Sequence, residues 1–194
     1  MNPWEPVVER IAARCRPAGL DLLRAFQVGW YNRAVEEPYR LPDLGHPARL
    51  GVLIGNTRAL WAPFLAALRR DPARLDAAEP LDDYVMATVT DALRPLPLRW
   101  QVRWAHDAAA PVAMQRLAHV AGLAHLAPSH LSVHQVYGPW IALRAAVVID
   151  THGPPDPSCS GTEPGRRRSD GIDPSGRRHA PRAMPSSARP GRHA

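Results

Sequence analysis

The sequence predicts an α+β fold, a mainly antiparallel sheet flanked by helices and followed by a disordered C-terminal tail. Three observations carry that expectation. Strand-like and amphipathic helical runs both recur, without the strict alternation that a parallel sheet requires. The chain has 194 residues, 45% of them hydrophobic, enough to bury one sizeable core. Composition then changes abruptly after position 150, which divides the chain into a folded domain over residues 1–150 and a tail over residues 151–194.

The elements follow in order. In PVVERIAARCRPAGL, residues 6–20, Val7, Val8, Ile11, Ala12 and Cys15 share one helical face, and Pro17 with Gly19 ends the pattern. FQVGWYN, residues 26–32, gathers three aromatics, two amides and a glycine in a chain that is 6% aromatic. Phe26, Val28 and Trp30 alternate with Gln27, Gly29 and Tyr31, the period of a strand with one apolar and one hydrogen-bonding face. YRLPDLGHPAR is broken by prolines and glycine, and LGVLIGNT reads as a buried strand running into a polar turn. LWAPFLAALRR is a helix with Pro63 in its first turn, where a missing N–H costs little. LDDYVMATVTDALRPL is another, with Asp82 or Asp83 favourably near its start and Pro95 at its close.

LRWQVRWAH alternates again as a strand. VAMQRLAHVAGLAHL is the clearest amphipathic helix, with Val112, Leu117, Val120, Leu123 and Leu126 as a core stripe. HLSVHQVYGPWIALRAAVVID gives two strand-like runs around the Gly138-Pro139 turn.

The tail is crowded with Pro, Gly, Ser and Arg and holds few large apolar residues, so it cannot offset its own ordering entropy. Its sudden onset after an apolar strand raises a second reading, a change of reading frame, which resequencing of the intact gene tests. Net charge is +6, all basic residues are Arg, and eight Arg against four acidic residues give the tail +4 of it. The basic balance belongs largely to the tail and leaves the body without the packed basic face of a nucleic-acid binder. Cys15 and Cys159 lie far apart, so no disulfide framework or CxxC metal site is readable. Without an export signal or a membrane-length apolar run, the sequence predicts a soluble cytoplasmic protein that does not enter membranes.

Conventional catalytic signatures are absent: no GxSxG, P-loop, HExxH or strand-to-helix GxGxxG occurs. His119 lies near Gly122, where a flat ligand or another backbone could approach, and its bland reading is a satisfied half-buried histidine. His130 and His134 flank an extended LSV segment, which does not form a metal pair, and no further zinc ligands are evident. Arg144 interrupts the apolar run WIALRAAVVI. A buried guanidinium needs a partner, either an internal carboxylate or an anionic ligand, whereas an edge-strand Arg would simply reach solvent. Trp30, Trp100, Trp104 and Trp140 read as core or sheet-face packing.

Taken together, FQVGWYN, YRLPD, LAHVAG and YGPWIALRAAVV resemble, in that order, the CblC-type cobalamin-processing proteins, the methylmalonic aciduria and homocystinuria type C family. RCRPAGLDLLRAFQV extends the similarity to roughly residues 7–149. Each motif is short, and their shared order carries the resemblance. It implies a nitroreductase-like fold that binds cobalamin with the nucleotide base displaced from cobalt and removes the upper axial ligand. Cyanide would leave on reduction by a flavin-linked donor using FMN or FAD, and an alkyl group would pass to glutathione or another thiol.

Carried over by position, Val112, Ala113, Met114 and Gln115 match a corrin-contacting run before AHVAG. Leu126, Ala127 and Pro128 match a second run, where the family often has tyrosines. Ser132 and Leu143 match contacts on either side of YGPW, His119 the motif histidine beside cobalamin, and Arg144 the arginine that holds the thiol's carboxylate. LRWQVRWAH aligns with a further contacting segment in no definite register.

Longer animal members continue with an arginine- and tryptophan-bearing segment that covers the pocket and binds glutathione; the tail here has no match to it. The implied partners are cobalamin, a flavin reductase or cobalamin-dependent enzyme, and a second copy of the chain on ligand binding. Other readings are a non-catalytic cobalamin carrier, a flavin-dependent nitroreductase-like oxidoreductase without cobalamin, and, last, nucleic-acid binding by the tail.

Overall fold

The computed structural model describes residues 2–155. Most of the compositional tail, including Cys159, lies outside the described residues. In chain order the strands are β1 (Leu22–Gln27), β2 (Arg49–Asn56), β3 (Trp100–Trp104), β4 (His125–Leu126), β5 (Ser132–Val133) and β6 (Ala142–His152). The helices are α1 (Glu5–Cys15), α2 (Val28–Asn32), α3 (Trp61–Arg70), α4 (Pro80–Leu93) and α5 (Met114–Val120). Four strands form one sheet in the order β1-β2-β6-β3, with every pairing antiparallel, and β4 pairs with β5 in a separate two-residue ribbon.

The continuous apolar run Ala145–Ile149 explains why β6 is central: all five residues are fully buried, as a strand covered on both faces requires. On one face, Leu50, Val52, Ile54, Val147 and Ile149 meet Ile11 and Cys15 of α1 and Val85 and Val89 of α4. On the other, Phe26, Leu53, Ala146 and Val148 meet Val28 and Tyr31 of α2 and Leu117 and Ala118 of α5. Each fully buried Leu or Ile in these layers contributes about 1.5–3 kcal/mol. Gly51 lies opposite Phe26, and a Cβ there would overlap the phenyl ring, so the ring lies flat over β2.

Three expectations change. FQVGWYN is not one strand: β1 ends at Gln27 and Val28–Asn32 is helical. Val28 and Tyr31, three apart, are both fully buried, a helical spacing concealed within the apparent alternation. Second, the helix over VAMQRLAHVAGLAHL is only Met114–Val120, and of its expected core stripe Leu117 alone is fully buried. Gly122, at φ +69, stops it: the Gly122 and Leu123 N–H groups donate back to His119 and Ala118 carbonyls, a Schellman cap. Third, β6 runs two residues past Asp150, so Thr151 and His152 belong to the sheet rather than to a tail. The Gly153 N–H then bonds the Ala48 carbonyl at 2.9 Å, and the Gln27 amide donates to the Pro154 carbonyl.

The polar groups of α2 tether what surrounds the site. The Asn32 amide donates to the Leu41 carbonyl at 2.8 Å and accepts the Leu41 N–H at 2.9 Å, pairing with that backbone as a strand would. The Tyr31 hydroxyl donates to the Tyr39 carbonyl at 3.0 Å and accepts the Ala113 N–H at 2.9 Å. Burial raises the Tyr31 phenol above its ordinary pKa, and the protonated hydroxyl donates and accepts at once.

Tyr31→Phe is expected to cost about 1–3 kcal/mol by stranding two backbone groups, read as a lower urea midpoint at unchanged m-value with faster amide exchange at Ala113. Burial also pushes the Cys15 thiol from 9.0 up to about 11. Between those values the unfolded chain has lost a proton that the folded chain retains, so stability falls as pH rises through that window. In Cys15→Ala that part of the decline disappears, measurable as a flatter unfolding free energy from pH 8 to pH 10.5.

Candidate functional site

Five residues matched by the resemblance to corrin contacts, Val112, Met114, Gln115, Ser132 and Leu143, line one cleft of about 330 Å³. Ala105, His130, Leu131, Pro139 and Ile141 complete its wall. Three tethers assemble it. The Tyr31 hydroxyl fixes the backbone just before α5, so Met114 turns into the core while Gln115 faces outward. The β4–β5 ribbon presents Ser132, and β6 contributes Leu143. Seven of the ten lining residues are apolar, and an amide, a hydroxyl and the His130 imidazole make the lining mixed, the composition of a site for an organic ligand with polar substituents. The Ser132 Oγ is buried without a hydrogen-bond partner, leaving an unsatisfied polar atom at the wall.

The other expected residues lie around this cleft rather than in it. Ala113 is bound through its N–H to Tyr31. Leu126 pairs with Ser132, and the Ala127 N–H bonds the Leu131 carbonyl at 2.9 Å, so both build the ribbon behind Ser132. Pro128 is exposed at its turn. His119 is exposed, contrary to the half-buried expectation, and faces a larger concavity of about 770 Å³ across the ribbon, together with Arg24, His125 and His134. Its Nδ1 accepts the Leu126 N–H at 3.3 Å. Among the described residues no three His, Cys, Asp or Glu side chains are arranged to hold a metal.

Arg144 is governed by a β-bulge. Ile54 pairs with Ala145 but Gly55 pairs with Leu143, so Arg144 is the extra residue of β6. The bulge reverses the alternation of the strand: Leu143 joins the α5 layer while Arg144 reaches α4. Its Nε donates to the Asn56 Oδ1 at 2.8 Å, and its Nη1 lies 3.5 Å from the Asp82 carboxylate. Arg144 therefore has an internal carboxylate partner and is not on an edge strand. Asp82 also faces His106, 3.6 Å away, and these groups with Trp104 and Val85 line a small cleft of about 190 Å³.

Trp30, Trp100 and Trp104 pack against the two cores as expected, but Trp140 does not: it is 82% exposed. Sequence reasoning missed Asn56 and Asp82 as partners of Arg144. A polar Asn ending the apolar run LGVLIGN was the available signal for the first; Asp82 read only as a helix-start charge. It also missed Asp21, which accepts both the N–H and the hydroxyl of Thr57 and ties β1 to the end of β2.

No helix among the described residues is long and apolar enough to cross a membrane. No family model matches the chain, and no curated protein does either. Among solved structures, it is similar to the B12-trafficking protein CblC of C. elegans, a homologue of human MMACHC. That likeness has 18% identity and a TM-score of 0.63, covering 78% of this chain and 71% of that chain. An epoxyqueuosine reductase aligns at 16% identity and a TM-score of 0.44, over 76% of this chain and 46% of its own. The chain thus has the α+β fold of CblC, an antiparallel sheet between two layers of helices.

Proposed function

We propose that this protein binds cobalamin in its base-off form and removes the upper axial ligand as a step of cobalamin processing. The observation that carries the reading is the cleft itself. Five positions chosen for their resemblance to corrin contacts, from α5 and the residues just before it, β5 and β6, converge on one concavity of mixed lining whose wall contains an unsatisfied hydroxyl. A corrin offers apolar faces and a rim of amides, and Val112, Met114 and Leu143 suit the first as Gln115 and Ser132 suit the second.

The chemistry belongs mainly to the ligand. With its lower nitrogen ligand off, cobalt is easier to reduce and releases its upper ligand readily, so the protein acts by holding that geometry. Reductive removal of cyanide draws electrons from a flavin-linked donor; removal of an alkyl group requires a thiolate acceptor such as glutathione.

A second reading, a carrier that binds cobalamin without thiol chemistry, is favoured by one contact. The arginine implicated in holding the thiol's carboxylate, Arg144, already faces Asp82. A carboxylate ligand would have to compete with that side chain, whereas decyanation places no such demand.

Cyanocobalamin and methylcobalamin titrated with excess protein are expected to take on the base-off visible spectrum; unchanged spectra at high protein concentration would remove the cobalamin reading. Adding a reduced flavin or glutathione to the bound forms then separates decyanation, dealkylation and simple carriage. Ser132→Ala is expected to have opposite effects on two measurements. Losing one ligand hydrogen bond weakens cobalamin binding by about 2- to 12-fold, equivalent to about 0.5–1.5 kcal/mol. Removing the unpartnered hydroxyl leaves the melting temperature of the free protein unchanged or higher.

A further inference from the structure

The chain between β5 and β6 is ordered, yet exposes large apolar side chains. His134 and Gly138 exchange backbone hydrogen bonds of 2.8 and 2.9 Å, closing a turn. The His134 Nδ1 accepts the Val136 and Tyr137 N–H groups at 3.1 and 3.3 Å, and its ring lies 4.9 Å from the Tyr137 ring. The Trp140 N–H then donates to the Tyr137 carbonyl at 3.1 Å.

On and beside this fixed turn Val136 is 75% exposed, Tyr137 43% and Trp140 82%, and Leu131, just before β5, is 56% exposed. Five of the nine large apolar side chains exposed among the described residues lie between positions 131 and 140. Scattered exposed apolar residues need no explanation, but their concentration in one short stretch that borders a cleft points to a contact surface.

We propose that the 131–140 turn is a flap that lies over bound cobalamin, with the Trp140 indole packed against the corrin. This rests on the cobalamin reading above and adds a residue to it. Continuity argues for this occupant, because Leu131, just before β5, and Pro139, just after the closed turn, both line the cleft.

Size argues the same way. At about 330 Å³ the cleft is at the small end of the range, about 300–1,000 Å³, of sites that enclose drug-sized ligands. Cobalamin, with its amide arms and nucleotide, is much larger than a drug-sized ligand, so the cleft alone encloses only part of it. The adjoining apolar surface is this turn. Its chemistry fits, since Trp and Tyr offer flat apolar bodies with one polar atom each to a conjugated ring with a polar rim. A stable dimer would need about 1,200–2,000 Å² of buried surface, more than a few side chains on one turn supply.

The test uses the full chain, wild type and Trp140→Ala, titrated with cyanocobalamin and read by the base-off absorbance change. Trp140→Ala is expected to bind at least 10-fold more weakly while melting at the wild-type temperature, because the indole makes few contacts in the free protein. Trp140→Phe is expected to retain most of the affinity. Hydroxyl-radical footprinting adds a readout independent of affinity, with cobalamin expected to protect Tyr137 and Trp140 from oxidation. Equal affinities for wild type and Trp140→Ala, with Trp140 unprotected, would overturn the flap and leave the cobalamin reading intact. If wild type gives no spectral change, both fail. If the ligand-free wild type sediments as a dimer and Trp140→Ala as a monomer, the turn is an interface between copies and the flap is overturned.

Discussion

The extra residue at Arg144 decides how the central strand serves two layers at once. C-terminal to it, β6 alternates so that Val147 and Ile149 face α1 and α4 while Ala146 and Val148 face α2 and α5. Without the bulge, the same alternation would turn Leu143 toward α4, away from Met114 and Gln115. With it, Leu143 completes the cleft and Arg144 meets Asp82 and Asn56. The guanidinium in turn gives the bulge a favourable place to put its unpaired residue. Bulges recur beside functional sites because they redirect a side chain without ending a strand.

A second dependency runs through α2. Tyr31 and Asn32 bond to backbone at Tyr39, Leu41 and Ala113 rather than to other side chains. Those segments lack regular partners of their own, and Pro38, Pro42 and Pro111 each remove a backbone donor near them. The buried Tyr31 and half-buried Asn32 side chains therefore take the place of a missing ladder, so the FQVGWYN motif supports the cleft and lines none of its wall.

Where apolar runs were long and unambiguous, as in LGVLIGN and AAVVI, the sequence was a sufficient guide to buried strands and to an antiparallel α+β arrangement. It failed where two periods fit equally well: seven residues of FQVGWYN satisfy alternation and helical spacing alike, and burial of Val28 with Tyr31 selects the helix. The bulge was invisible because no residue type encodes it, and so the partners of Arg144 could be named only as a class. Of the site, the order of the motifs indicated which segments meet. It could not separate the wall residues Gln115 and Ser132 from Ala113 and Leu126, which support them, since that distinction depends on strand pairing and on a single tyrosine hydroxyl.

The strand order also fixes when the protein can acquire its structure. β2 and β3 meet only through β6, the last regular element among the described residues. During synthesis, then, the β1–β2 pair and β3 emerge well before the strand that joins them. Leu50, Val52 and Ile54 stand beside an open edge until β6 is made, and pairings across so many intervening residues are slow to form. The nascent chain therefore passes through an interval with an apolar strand edge exposed, the kind of unpaired edge that templates pairing with other chains until β6 covers it.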